Sequence, residues 1–599
     1  MLSELADYYH RLLTERPTEM APYGWCIRKV SYVAHITADG HLLSVIPLSD
    51  NSVMEKLVPN QVKRAVNIAA NFLCDNSSYV FGVDKKGKPE RSVKCFEASK
   101  ELYHTVLEGI ENPCARALLA FFDTWNPREA LSHSAITPVV DDLLAGVNIV
   151  FEAEIERVTL DPLMDEDIRS AWEHAYAGER SENEYMRCLV SGELAPVARL
   201  HPAIKGVYGA QSSGASLVSF NARAFESYGH DKEQGRNAPV SEVSAHAYAT
   251  ALNYLLADRL HHTRLGDTTI VYWSDKNDEQ NCTFMSLCMG AWTPDTETKE
   301  DADTIVDATF KAIGRGEYRD TQSIDLDAEF FVLGIAPSAA RLSVKYFLRN
   351  SFGAMLRNIS SHYMRSDIAR AAYERPYLTP YQLLWEVEQP NAKKPVVTPI
   401  LNGPLLRAIL EDAPYPQALY DQCILRIHAT QEDPDNHIRK VTRGRAAIIR
   451  AYLIRNHAAR GYDEKGLTVT LNEGRHEVAY GLGRAFAILE RIQEGANERV
   501  TITNRYFNAA STTPGAVYPL LLRLSVAHLG KMRRGGKIGL ANYLEAMLRD
   551  AIDNDTVAMF PVRLSNLQQG DFMLGYYHQR QKLFERKSEQ ATNTDGEEE

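Results

Sequence analysis

The sequence predicts an α+β protein: an N-terminal mixed α/β region with antiparallel strands, followed by a C-terminal α-helical bundle. Three observations carry this. Strand-like runs rich in β-branched and aromatic residues recur at 27–37, 41–47, 268–273, 329–335 and 341–347. Beyond residue 395 most apolar runs follow helical spacing instead. Between the two regimes, Pro376, Pro380, Pro390, Pro395 and Pro399 cannot extend a helix interior and mark a connection.

Each element has its own warrant. Leu2, Leu5, Ala6, Tyr9, Leu12 and Leu13 make one apolar face of an opening helix. The runs 27–37 and 41–47 flank Ala38-Asp39-Gly40, where Asp-Gly supplies hairpin turn chemistry. Helices are expected at 93–108 and 115–125, separated by Asn112-Pro113. Residues 152–184 hold eleven acids against Arg157, Arg169 and Arg180, and read as a solvated acidic face. In the run 341–347, Leu342, Val344 and Tyr346 alternate with Arg341, Ser343 and Lys345, so one face should be buried and the other basic. Helices are then expected at 405–410, 416–428, 446–457, 479–493, 516–529, 541–552 and 567–586. The resulting division is a region 1–395, in one or two units, a helical connection 396–477, a bundle 478–586 and a disordered acidic tail 587–599.

Composition bounds the function. The chain has 599 residues, 45% of them apolar and 24% charged, enough for about three folded units and incompatible with global disorder. With 66 Lys and Arg against 78 Asp and Glu the net charge is -12, which excludes a globally basic nucleic-acid binder but not a locally basic one. No long apolar run or signal-like start is present, and a soluble cytoplasmic protein with no membrane partner is expected. Eight irregularly spaced cysteines form no disulfide framework.

The motifs of common chemistries are missing: no Walker A sequence, no His-Glu-x-x-His, no Gly-x-Ser-x-Gly. The run from Gly481 to Phe486 has Phe where a dinucleotide loop needs its third glycine. Cys282 and Cys288 lie outside zinc-ribbon spacing, and His261, His262 and His362 have no partners at ligand spacing. No catalytic residue, metal or cofactor is therefore expected.

What stands out is basic and polar. Residues 437–460 carry seven Lys or Arg and no acid, and on a helix Arg439, Arg443 and Arg450 fall within about 40° of one another, a stripe able to meet phosphates. Lys85, Lys86 and Lys88 form one basic loop; Lys531, Arg533, Arg534 and Lys537 form another. The small-residue run 209–216 contains Gln211, Ser212 and Ser213 and is followed by Asn221. Glycines permit close backbone approach, and amides can read base edges.

Several segments together resemble a known family. They are Asn71-Phe72-Leu73-Cys74-Asp75-Asn76 with Tyr79, the run 209–228 (GAQSSGASLVSFNARAFESY), Asn237-Ala238-Pro239-Val240-Ser241, Ala251-Leu252-Asn253-Tyr254 and Gly266-Asp267-Thr268-Thr269. Residues 334–349, Pro414-Tyr415-Pro416-Gln417-Ala418, Arg505-Tyr506-Phe507 and 574–580 extend the likeness over about residues 1–585. The chain resembles the large subunit of the type I-C CRISPR Cascade complex. That resemblance implies a non-catalytic subunit of an RNA-guided surveillance complex. It would recognise the PAM in double-stranded target DNA, start strand separation and stabilise the R-loop in antiviral defence.

Implied partners are the crRNA-bound backbone subunits, the Cas5-type subunit at the crRNA 5′ end, small subunits, the displaced single strand and the helicase-nuclease effector. Asn71, Phe72, Asn76, Lys85, Lys86, Lys88, Gln211, Ser212, Ser213 and Asn221 are the expected PAM and duplex contacts. Arg439, Arg443, Arg450, Lys531, Arg533, Arg534 and Lys537 are expected on the DNA backbone or displaced strand. The C-terminal bundle is expected to fold alone and to arise also by internal translation from near Val478, about one fifth of full length. The competing reading is a stand-alone metal-dependent nuclease with an unrecognised site.

Overall fold

The computed structural model describes the chain except residues 18, 49–53, 63, 65–67, 85–88, 179–184, 228, 231, 291–303, 312–323, 372, 389–398, 434, 498–501, 553–559 and 595–599. It has the predicted α+β character, with sheets in the N-terminal part and helices in the C-terminal part. Two compact units divide it: residues 1–204 with 216–254, and residues 205–215 with 255–599.

In the first unit the opening helix Leu2–Glu15 buries Leu5, Ala6, Tyr8, Tyr9 and Leu12. Strands β1 (Trp25–Val30), β2 (Tyr32–Thr37), β3 (Leu42–Pro47) and β4 (Met54–Pro59) follow, then β5 (Cys74–Asn76), β6 (Asn148–Ile155), β7 (Val158–Leu160), β8 (Tyr185–Arg187) and β9 (Leu194–Pro196). The main sheet runs β3-β2-β6-β5 with β7 beside β6. Within it β2 and β6 are parallel and the other pairs antiparallel.

The β2–β3 hairpin turns where Asp39-Gly40 predicts. Gly40 has φ +78°, and a Cβ there would lie 2.2 Å from the Phe121 amide nitrogen, so the turn rests on the helix Pro113–Thr124. The expected single run 27–37 is instead two strands. The Ser31 N–H goes to the Asn148 carbonyl (3.0 Å), and β1 departs to pair with β4. The helix break at Asn112-Pro113 is an N-cap: Asn112 Oδ1 accepts from the amides of Cys114 (2.8 Å) and Ala115 (3.2 Å). The described acidic stretch forms β6, β7 and the helix Glu166–Gly178, whose first amides Asp165 caps.

The second unit contains an antiparallel meander: β10 (His262–Leu265), β11 (Thr268–Ser274), β12 (Glu329–Ser338) and β13 (Arg341–Ser351). The predicted alternation along β13 holds for Leu342 and Tyr346 but fails at Val344, which is exposed. A bulge between Gly334 and Ile335 pairs Ile335 with Val344 and Gly334 with Tyr346, leaving Lys345 unopposed. Gly334 lies under the Tyr346 ring, where a Cβ would be 2.3 Å from Cζ.

One apolar cluster runs from Leu265 to Tyr577, through every major helix after the sheet. The expected boundary near 395 does not divide the units: Leu383 and Leu384 before it and Leu401 and Leu405 after it share that cluster. Two of the prolines there start helices. Pro380 opens Pro380–Trp385 behind a Thr379 capping box, and Pro399 opens Pro399–Leu410. The same continuity joins the expected connection 396–477 to the bundle 478–586.

The helices Val478–Ala496 and Asn566–Thr594 pack backbone to backbone. A Cβ on Gly483 would lie 1.9 Å from the Phe572 carbonyl oxygen, and one on Gly575 would lie 2.1 Å from that of Tyr480. The glycines near 481–483 thus serve helix packing. The last helix carries residues 587–594 of the expected disordered tail, and 595–599 lie outside the described residues.

Candidate nucleic-acid interface

Asn71, Phe72 and Asn76 form an anchor for the segment between β4 and β5. Asn71 Oδ1 accepts from the Val62 amide (2.9 Å), and its Nδ2 donates to Gln61 Oε1 (2.8 Å). The Asn71 amide donates to Asp75 Oδ2 (2.9 Å), and Arg64 grips the same carboxylate with both terminal nitrogens. The guanidinium also covers the Tyr79 ring at 3.7 Å. Burial pushes the Asp75 carboxyl up and Arg64 opposes it.

Asn76 Oδ1 accepts from the Ser78 amide and caps the helix Ser77–Val80. Phe72 is fully buried, stacked on Trp172 at 5.4 Å and tilted against Tyr103 at 4.9 Å. Direct base reading by Phe72 and Asn71 is therefore corrected. The ring is inside the core and the amide is occupied, so these side chains position the chain around them. Lys85, Lys86 and Lys88 lie outside the described residues. Lys94, on the following helix Pro89–Leu107, is exposed.

Gln211, Ser212 and Ser213 are exposed at the tip of a turn on a firm base. Gly209 (φ +77°) and Gly214 (φ +97°) allow the chain to reverse, and the Gly214 amide closes on the Gln211 carbonyl (2.9 Å). Beneath the tip, the Tyr208 amide donates to Thr269 Oγ1 (3.1 Å), the Arg264 guanidinium lies 3.1 Å from the Tyr208 ring centre, and Gly209 abuts Pro337. One amide and two hydroxyls are thus presented to solvent by fixed backbone. Asn221 is exposed in the first unit.

The basic run 437–460 is not a phosphate stripe. Its helix is Arg443–His457, which leaves Arg439 off it, and eleven of its residues from Gly444 to Ile454 are buried. Arg450 is 2% exposed: Nε donates to the Leu467 carbonyl (2.7 Å) and Nη1 to those of Met364 (2.8 Å) and Arg365 (2.9 Å). Those last two carbonyls end the helix Phe352–Ser366. Lys440, 1% exposed, reaches the carbonyls of Ile427, His428 and Thr430 at the end of Gln417–Ala429. Arg445 bonds the carbonyls of Lys440 (2.7 Å) and Glu386 (3.1 Å), and Arg455 takes that of Asp412 (3.0 Å) just past Pro399–Leu410.

Several of these cations meet carbonyls at helix C-termini, while Arg445 and Arg455 also pair with the carboxylates of Glu386 (3.5 Å) and Asp412 (3.2 Å) from outside the run. Arg443 donates to the Pro376 carbonyl (2.9 Å), and Arg439 is paired loosely with Glu432 (3.6 Å).

Lys531, Arg534 and Lys537 do face solvent, around Gly535-Gly536 at the end of the helix Pro514–Arg534. Lys531 Nζ donates to Asn497 Oδ1 (3.0 Å), Lys537 Nζ donates to the Gly495 carbonyl (3.0 Å), and Arg533 pairs with Glu545. The corner is thereby held in place with its charges at the surface. The described acids of 152–178 bring no group of metal ligands together.

A family model described as CRISPR-associated protein (Cas_Csd1) matches residues 5–584. The chain belongs to that family. No curated protein matches this Csd1-family chain. The match spans both units, and both the anchor and the glycine-framed turn lie within it. No described helix of the Csd1-family protein is long and apolar enough to cross a membrane.

Proposed function

We propose that this CRISPR-associated chain is the non-catalytic large subunit of a type I-C Cascade. It recognises the PAM in duplex DNA, starts strand separation, stabilises the R-loop and recruits the helicase-nuclease. It docks beside the Cas5-type subunit at the crRNA 5′ end, with small subunits completing the complex. The observation that carries DNA recognition is the exposed tip Gln211-Ser212-Ser213 on its fixed base: a bidentate amide and two hydroxyls suit base edges, and the glycines let the backbone come close. The corner of Lys531, Arg534 and Lys537 suits a sequence-independent path for the displaced strand. Asn71, Phe72 and Asn76 act indirectly, by holding the segments that flank them.

The test is duplex binding by the assembled complex. Gln211→Ala should weaken the preferred motif by about 1–3 kcal/mol and a scrambled one far less. Equal losses on both duplexes would remove base reading from this turn. The purified chain with Mg²⁺ or Mn²⁺ should leave DNA and RNA intact; cleavage abolished by one carboxylate substitution would replace this reading with a nuclease.

A further inference from the structure

Sequence spacing separates His261 from Asp278 and Cys282, but the fold of the second unit brings them together. His261 ends the turn before β10, and Asp278 and Cys282 stand one turn apart on the helix Asp278–Cys288. Their ligand atoms, an imidazole nitrogen, a carboxylate oxygen and a thiol sulfur, all lie within 4.8 Å of one another. His261 and Cys282 are buried, and Asp278 is 19% exposed. His261 Nε2 is 3.0 Å from Asp278 Oδ2, and Cys282 Sγ is 3.3 Å from Asp278 Oδ1, which also accepts from the Ser274 amide (2.7 Å). On its far side, His261 Nδ1 is 2.8 Å from Asp258 Oδ2.

We propose that His261 Nε2, Asp278 Oδ2 and Cys282 Sγ bind one Zn²⁺. Two features support it. The donor set is nitrogen, oxygen and sulfur, which zinc accepts in a tetrahedral shell, and the partial exposure of Asp278 leaves the fourth position to water. Asp258 holds Nδ1–H and directs Nε2 inward, the carboxylate–histidine arrangement that orients metal-bound imidazoles. The ion would link the turn before β10 to the first turn of the helix, far in sequence from the proposed DNA contacts.

The experiment measures zinc in the full-length chain after expression and dialysis against micromolar Zn²⁺, and repeats the loading with Co²⁺. About one zinc per chain is expected in the parent and in Cys26→Ser, and less than a tenth of that in His261→Asn and Cys282→Ser. The Co²⁺ form of the parent should show a thiolate-to-cobalt charge-transfer band that Cys282→Ser lacks. Where a variant does not fold, the parent's cobalt spectrum decides alone. A parent chain that takes up no zinc and shows no thiolate band overturns the proposal and leaves an imidazolium between two carboxylates. Zinc retained in folded Cys282→Ser overturns it equally.

Discussion

Replacing Arg450 with Met separates a phosphate-binding arginine from one that closes a helix. The guanidinium makes three hydrogen bonds to main-chain carbonyls at 2.7–2.9 Å and is 2% exposed. Charged-group hydrogen bonds contribute about 1.5–3 kcal/mol each, so three would give about 5–9 kcal/mol if they were additive. Met keeps much of the volume and the two helix-end carbonyls can regain part of their hydration, so the expected loss is about 3–5 kcal/mol. Arg439→Ala removes a half-exposed side chain with one 3.6 Å ion pair and should cost at most about 1 kcal/mol.

Urea unfolding followed by near-ultraviolet circular dichroism gives both values from the shift in midpoint at constant slope. The companion measurement is the salt dependence of DNA binding by the complex, whose slope drops by about 1 for each phosphate that is no longer neutralised. Arg450→Met should leave that slope unchanged. An Arg450→Met chain as stable as its parent but with a flatter salt slope would refute the capping account and restore the stripe.

Phe72→Ala should destabilise the chain by about 3–5 kcal/mol and weaken preferred and scrambled duplexes alike, since the ring is stacked inside the core; a selective loss on the preferred motif would show that it reaches DNA. The triple variant Lys531→Ala, Arg534→Ala and Lys537→Ala should keep its melting temperature and flatten the salt slope by up to about 3, and an unchanged slope would make the corner an ordinary surface. Gly483→Ala places a Cβ 1.9 Å from a main-chain oxygen that cannot swing aside, and should cost about 1–3 kcal/mol or more in the same urea assay. Burial, reinforced by Arg365 at His362 and by Arg450 at His578, pulls both imidazoles down to about 3. They are neutral when folded and protonate first when unfolded, so their contribution is complete above about pH 6.5 and lost as pH falls toward 3. At pH 5 each costs about 2 kcal/mol, and His578→Asn should flatten the stability profile between pH 6.5 and 5.

Local signals were legible wherever the deciding physics is local. Asp39-Gly40 marks its hairpin, Asn112-Pro113 its cap, and the helical periods after residue 400 place the helix centres well, because each depends on neighbours within about one turn. What escaped was set by distant partners. Proline spacing could not tell helix starts from a domain border, since the shared core of Leu384 and Leu405 is a matter of packing. The stripe of Arg439, Arg443 and Arg450 is a correct count of cations, but the carbonyls of Met364 and Arg365, 86 and 85 residues from Arg450, decide where that guanidinium goes. Phe72 is a core ring, which the sequence could not show, because an aromatic that stacks on bases and one that stacks on Trp172 look alike in sequence. His261 lacks partners at ligand spacing along the chain; Asp278 and Cys282 arrive only through β11 and its following helix.

The buried carboxylate of Asp571 sets a limit on how this gene can be read in pieces. Asp571 is 1% exposed, and its charge is met by Arg475 at 2.8 Å and the Tyr462 hydroxyl at 2.9 Å. Both partners are encoded ahead of Val478. A product that began at Val478 would keep its first helix but lack both partners of the Asp571 carboxylate. If the gene is also read from an internal start, a product that includes Tyr462 and Arg475 should outlast one that begins at Val478, and its length on a gel reports whether that ion pair travels with the helices it serves.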